Sequence, residues 1–137
     1  MTQPFIDTDV IIRFLTGDDP DKQAAAAAVF EQVEQGLLAV QAPDTVIADA
    51  VYVLSSPRLY HLARRDIQEM LAALVRLPQF HVQNRLSVLQ ALDLFAETPL
   101  DFGDALIIVS MQQQGSHILY SYDTDFDRFE GITRRAP

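Results

Sequence analysis

Short apolar runs at residues 4–6, 37–41, 80–83 and 118–120 alternate with longer segments of helical spacing, and this alternation limits the fold more than any other feature. Parallel strands cannot be joined by a tight turn; they need crossovers of a dozen or more residues, usually helical. The chain is therefore expected to be α/β, a three-layer sandwich with a central, mostly parallel sheet flanked by helices. The run at 118–120 reads as a short inner strand, and the tail after Gly131 can add an edge strand through Ile132.

Local signals delimit the helices. Residues 10–15 stop at Gly17, and Asp19-Pro20-Asp21 opens an alanine-rich helix that Gly36 ends. Pro43-Asp44 opens another, broken at Ser55-Ser56-Pro57. Ile67, Met70, Leu71, Leu74 and Val75 follow helical spacing, as do residues 86–95, and a last helix over 103–114 is capped by Gly115. With no repeat, Gly/Ser linker or charge block, residues 1–137 read as one domain.

The absence of cysteine excludes disulfides, thiolate metal sites and a cysteine nucleophile. No apolar run approaches the roughly 20 residues of a membrane-spanning helix, and no basic leader opens the chain, so a cytoplasmic protein without a membrane partner is expected. The net charge of -9 repels nucleic acid, so such a partner would have to be held locally by arginines or bridging cations.

In α/β sheets, ligands bind beyond the carboxyl ends of the strands, which draws attention to the acids there. Asp7 directly follows Phe5-Ile6; it is either a site residue or a helix cap, as is Thr8. Asp49 interrupts an otherwise apolar helical segment. A buried, unpaired carboxylate costs several kcal/mol, roughly, so either a cation or donors meet it, or it lies on a solvated stripe beside Tyr52. Asp104 opens a helix one turn after Asp101, an arrangement that also suits an N-cap and a first-turn acid. Asp123 follows the 118–120 run and starts an acidic stretch with Asp125 and Asp127, either a site or an Asx turn. An EF-hand is excluded, because Arg128 and Arg134 occupy the positions that need Gly and Glu.

Two carboxylates about 4 Å apart repel by about 4 kcal/mol at an effective dielectric near 20, so converging acids invite a divalent cation. Oxygen donors favour Mg²⁺ or Mn²⁺. His61, His81 and His117 lack metal-ligand spacing.

Four stretches, FIDTDVIIRFL at 5–15, VIADAVYVL at 46–54, LDFGDALIIVSMQQQG at 100–115 and ILYSYDTDFDRF at 118–129, resemble in order and spacing the PIN domain family, particularly its VapC-like toxin ribonucleases. The resemblance implies Mg²⁺- or Mn²⁺-dependent hydrolysis of RNA, with Asp7, Asp49, Asp104 and Asp123 binding the metal. Thr8, Asp101, Ser121 and Asp125 are the implied auxiliaries. It further implies a homodimer and a cognate antitoxin. Asp9 stands where the family commonly has Asn, Asp49 where it commonly has Glu, and Ser121 where Thr is frequent; the shorter Asp49 points to a metal contact through water. Arg13, Arg58, Arg64, Arg65 and Arg85 are candidate phosphate contacts.

Two other readings stand beside it. One is a catalytically decayed PIN-like module that binds RNA or protein. The other is a phosphatase of the haloacid-dehalogenase type, whose opening motif residues 5–11 also resemble, with Asp7 as nucleophile and Asp9 as general acid. That chemistry needs a late lysine, and the single lysine is Lys22.

Overall fold

The computed structural model describes residues 2–137, a mixed α/β fold of six α-helices and short parallel strands. Helix α1 (Thr8–Leu15) starts at Asp7, whose Oδ1 accepts the Val10 N–H at 3.2 Å. In α2 (Pro20–Glu34), Asp19 caps the Lys22 N–H, Pro20 supplies a preset first turn, and Ala26, Phe30 and Val33 face inward. Strand β1 (Val40–Ala42) leads into α3 (Asp44–Ser55). After α4 (Arg64–Val75) comes β2 (Phe80–Val82), then α5 (Arg85–Glu97) and α6 (Phe102–Gln114). Gly115 closes α6 at φ 67°, a left-handed cap that glycine adopts without steric cost. Strand β3 (Ile118–Tyr120), a 3-10 turn (Thr124–Arg128) and β4 (Thr133–Arg135) complete the chain.

The first strand pair lies in the core. β1 and β2 run parallel in the register Val40↔Phe80 and Ala42↔Val82, and all four of these side chains are buried. Phe30 bridges this pair to the helices, with its ring 5.9 Å from Phe80 edge-on and 4.8 Å from Phe14. On the other side of β1, residues 4–6 add a parallel bridge, with Ile6 N–H donating to Gln41 O and Gln41 N–H donating to Pro4 O. Among the described residues, no helix is long and apolar enough to cross a membrane.

Two sequence expectations shift. The run expected as a strand over 37–41 begins three residues later, because Leu37 and Leu38 still donate to Gln32 O and finish the end of α2. The strands are parallel as expected, but among the described residues they form two separate pairs, β1–β2, which residues 4–6 extend by a bridge, and β3–β4, rather than one continuous sheet. β3 is not an inner strand. Its only strand partner among the described residues is β4, and only Leu119 turns inward, toward a small cluster of Leu100, Ile108 and Phe126. β4 extends through Thr133–Arg135, just beyond the edge strand expected near Ile132.

Candidate active site

The predicted acids fall into two groups. In the first, Asp7 ends the 4–6 segment and caps α1 with one oxygen, leaving the other exposed. Thr8 Oγ1 donates to Val46 O at 3.4 Å, tying the start of α1 to α3. Asp49 lies one turn after Val46 on that helix and is exposed beside exposed Tyr52. Of the two sequence readings of Asp49, the solvated stripe is the observed one: water meets the charge that burial would have left unpaired.

The second group surrounds α6. Asp101 is its N-cap, with Oδ1 accepting the Asp104 N–H at 2.9 Å. Asp104 is half-buried in the first turn. Burial, and then the charges of Asp101 and Asp123, push its carboxyl above the ordinary range; a hydrogen bond with Asp101 and the charge of Asp125 act in the same direction. Asp123 caps the 3-10 turn, its Oδ1 accepting the Asp125 N–H at 2.8 Å, while Ser121 Oγ accepts the Asp123 N–H at 3.0 Å. Thus Asp101, Asp104, Asp123 and Asp125 share one negative field.

The expected convergence is therefore only partial. Among the described residues, no three His, Cys, Asp or Glu side chains are placed to hold a metal ion together. The donors are oxygens suited to a hard cation, but the present arrangement does not gather them on one position. Capping does not disqualify them, since each capping carboxylate commits one oxygen to a backbone N–H and retains the other.

The cations are distributed elsewhere. Arg13 lies 3.4 Å from Asp9 and 3.5 Å from Asp18, Arg128 lies 4.0 Å from Asp125, and Arg134 forks onto Asp127 at 2.8 and 3.2 Å. None reaches Asp7, Asp49, Asp104 or Asp123 within ion-pair distance among the described residues. Three of the candidate phosphate arginines serve the fold instead. Arg13 pairs with those acids, Arg64 donates to Phe95 O and Leu100 O and stacks on the Phe95 ring, and Arg85 donates to Leu77 O and Phe80 O. Arg58 and Arg65 are exposed.

Sequence reasoning passed over Arg134. Besides gripping Asp127, it donates to Ser121 O at 3.1 Å and so holds the backbone that leads into Asp123. The available signal was an arginine seven residues after an acid, across a turn. His81 hydrogen-bonds Gln3 and His117 the Gly131 carbonyl.

Comparison with protein-family models matches the PIN domain over residues 5–132. No curated protein matches the sequence.

Proposed function

The chain belongs to the PIN domain family, whose members are generally nucleases that use divalent metal ions, and from that premise we propose that it is a ribonuclease. The observation that carries this reading is the placement of the acids. Asp7, Asp49, Asp104 and Asp123 fall within the matched span at strand ends and on helices, and among the described residues no guanidinium lies within ion-pair distance of any of them, whereas Asp9 and Asp18 are held by Arg13 and Asp127 by Arg134.

In this reading Asp7, Asp49, Asp104 and Asp123 would hold Mg²⁺ or Mn²⁺, which would supply Lewis-acid stabilisation of the phosphodiester. Thr8 and Ser121 position the backbone at the two strand ends, and Asp101 and Asp125 add negative potential. Asp104 or Asp123 accepts the proton of the attacking water. In this reading both acid groups would serve one cation site between residues 4–6 and the β3–β4 ribbon. Neither the outer edge of that segment nor the outer edge of β3 has a strand partner among the described residues.

The test is cleavage of RNA in Mg²⁺ or Mn²⁺ by the wild type, Asp7→Asn and Asp104→Asn. Each variant should lose about 100-fold or more, the scale of a lost acid–base group. Equal cleavage by all three would reject the site. Thermal melts provide a second measure: a cation at a hundredfold excess over Kd stabilises by about 2.7 kcal/mol, which Asp7→Asn should abolish.

The scattered donors favour a second reading, a PIN domain that binds RNA or protein without hydrolysis. It predicts no Mn²⁺-dependent shift and no cleavage. The toxin role, with a homodimer and a cognate antitoxin, belongs to the first reading. Light scattering tests the dimer, and a short adjoining reading frame encoding a DNA-binding protein would support the antitoxin.

A further inference from the structure

Of the twelve aromatic side chains, eight Phe and four Tyr, only Phe5, Tyr52, Tyr120 and Tyr122 are largely exposed, at 68%, 74%, 65% and 76%. The others are buried or half-buried. All four exposed rings lie within three residues of Asp7, Asp49 or Asp123. A single exposed ring needs no explanation, but a set confined to the flanks of the acids does.

The β3–β4 register makes one of these positions specific. Tyr120 pairs with Arg135 and Ile118 with Thr133, and all four side chains face outward. The intervening Leu119 and Arg134 turn the other way, toward the small cluster and Asp127. The outward face therefore makes an aromatic residue and an arginine neighbours in register, both exposed to solvent. Arg135 has no acidic partner within ion-pair distance among the described residues. An aromatic ring stacks on a nucleobase, and a neighbouring arginine meets the phosphate of the same nucleotide. In a chain of net charge -9, stacking supplies attraction that bulk electrostatics oppose.

We propose that the outward face of the β3–β4 ribbon holds an unpaired nucleotide of the RNA, with its base on Tyr120 and its phosphate on Arg135. The proposal rests on the ribonuclease reading for its ligand but uses none of the acids. A base inside a duplex has its faces covered by its neighbours, so the face selects single-stranded RNA.

The experiment measures Kd for a labelled single-stranded oligoribonucleotide and for its duplex, in EDTA, over a range of salt concentrations. Tyr120→Leu should weaken single-strand binding by about 5- to 100-fold, the effect of losing one stacked base, while Tyr120→Phe keeps it within about twofold. Arg135→Gln should reduce the slope of log K against log salt by about 0.7, the value of one single-strand phosphate contact. An unchanged Kd in Tyr120→Leu, an unchanged slope in Arg135→Gln, or equal binding of the duplex would overturn the proposal. So would a wild type that binds no RNA, or a Tyr120→Leu variant that binds RNA normally but loses mass in light scattering, which would assign the face to contact between copies. Tyr120-dependent binding by a wild type that cleaves nothing would sustain the nucleotide face and reject the nuclease reading alone.

Discussion

The two strand pairs have the same length and the same parallel ladder, yet opposite environments. In β1–β2, Val40, Ala42, Phe80 and Val82 are sealed in the core, whereas in β3–β4, Ile118, Tyr120, Thr133 and Arg135 face solvent. Apolar character does not explain this, since Ile-Leu-Tyr is as apolar as Val-Gln-Ala. The difference comes from what packs against each pair. β1–β2 is covered by residues from several helices, including Phe14 and Phe30, whereas the β3–β4 region meets only a small cluster of Leu100, Ile108 and Phe126, against which Leu94, Leu119, Phe129 and Ile132 pack. A short strand takes its burial from its neighbours.

The strongest challenge to this contrast is Phe80→Ala, which should cost about 3–5 kcal/mol in urea unfolding as the Phe30 contact becomes a cavity. Phe126→Ala removes a comparable ring from the small cluster. It should release the ribbon locally, so that hydrogen exchange accelerates in β3 and β4 while β1 and β2 stay protected. A global loss matching that of Phe80→Ala would mean that the two cores are one.

A smaller effect concerns Asp104, in the first turn of α6, whose carboxyl feels the charges of Asp123 and Asp125 after β3. Because the Asp104 carboxyl is raised, the folded chain binds its proton more tightly than the unfolded chain. Stability therefore falls as pH rises from the ordinary Asp range through the raised one. Asp104→Asn removes that penalty, and its melting temperature should exceed wild type by about 1–3 °C at neutral pH. The advantage should vanish below about pH 4, where both forms are neutral. A lower melting temperature at neutral pH would show that the carboxylate is compensated in a way its surroundings do not reveal. The mildest substitution, Ile118→Thr on the outward face, should change stability by no more than about 0.5 kcal/mol; a larger loss would mean that this face is covered.

These contrasts locate the limits of legibility. Asp19-Pro20 and Gly115 bound helices where the sequence places them, because capping and left-handed termini involve only a few consecutive residues. Asp7 and Asp101 were readable both as caps and as site acids, and they are caps that retain a free oxygen. Whether Asp49 is enclosed or lies on a solvated stripe was open in the sequence, because an apolar run does not say which face of its helix is buried. The buried face of α3 runs through Ile47, Ala50, Val51 and Leu54, leaving Asp49 and Tyr52 outside. Arg64 and Arg85 could not be recognised as internal braces, because the carbonyls they grip come from other elements.

The sequence by itself determined the α/β alternation, most helix ends and the acids at strand ends, since periodicity and caps are written in residues close along the chain. Only the tertiary structure decided that β3 pairs with β4 rather than lying inside one sheet, that Asp104 shares its field with Asp101, Asp123 and Asp125, and that Tyr120 stands beside Arg135. Those outcomes depend on which distant surfaces meet, and an apolar tripeptide satisfies several partners equally well until the rest of the chain has chosen among them.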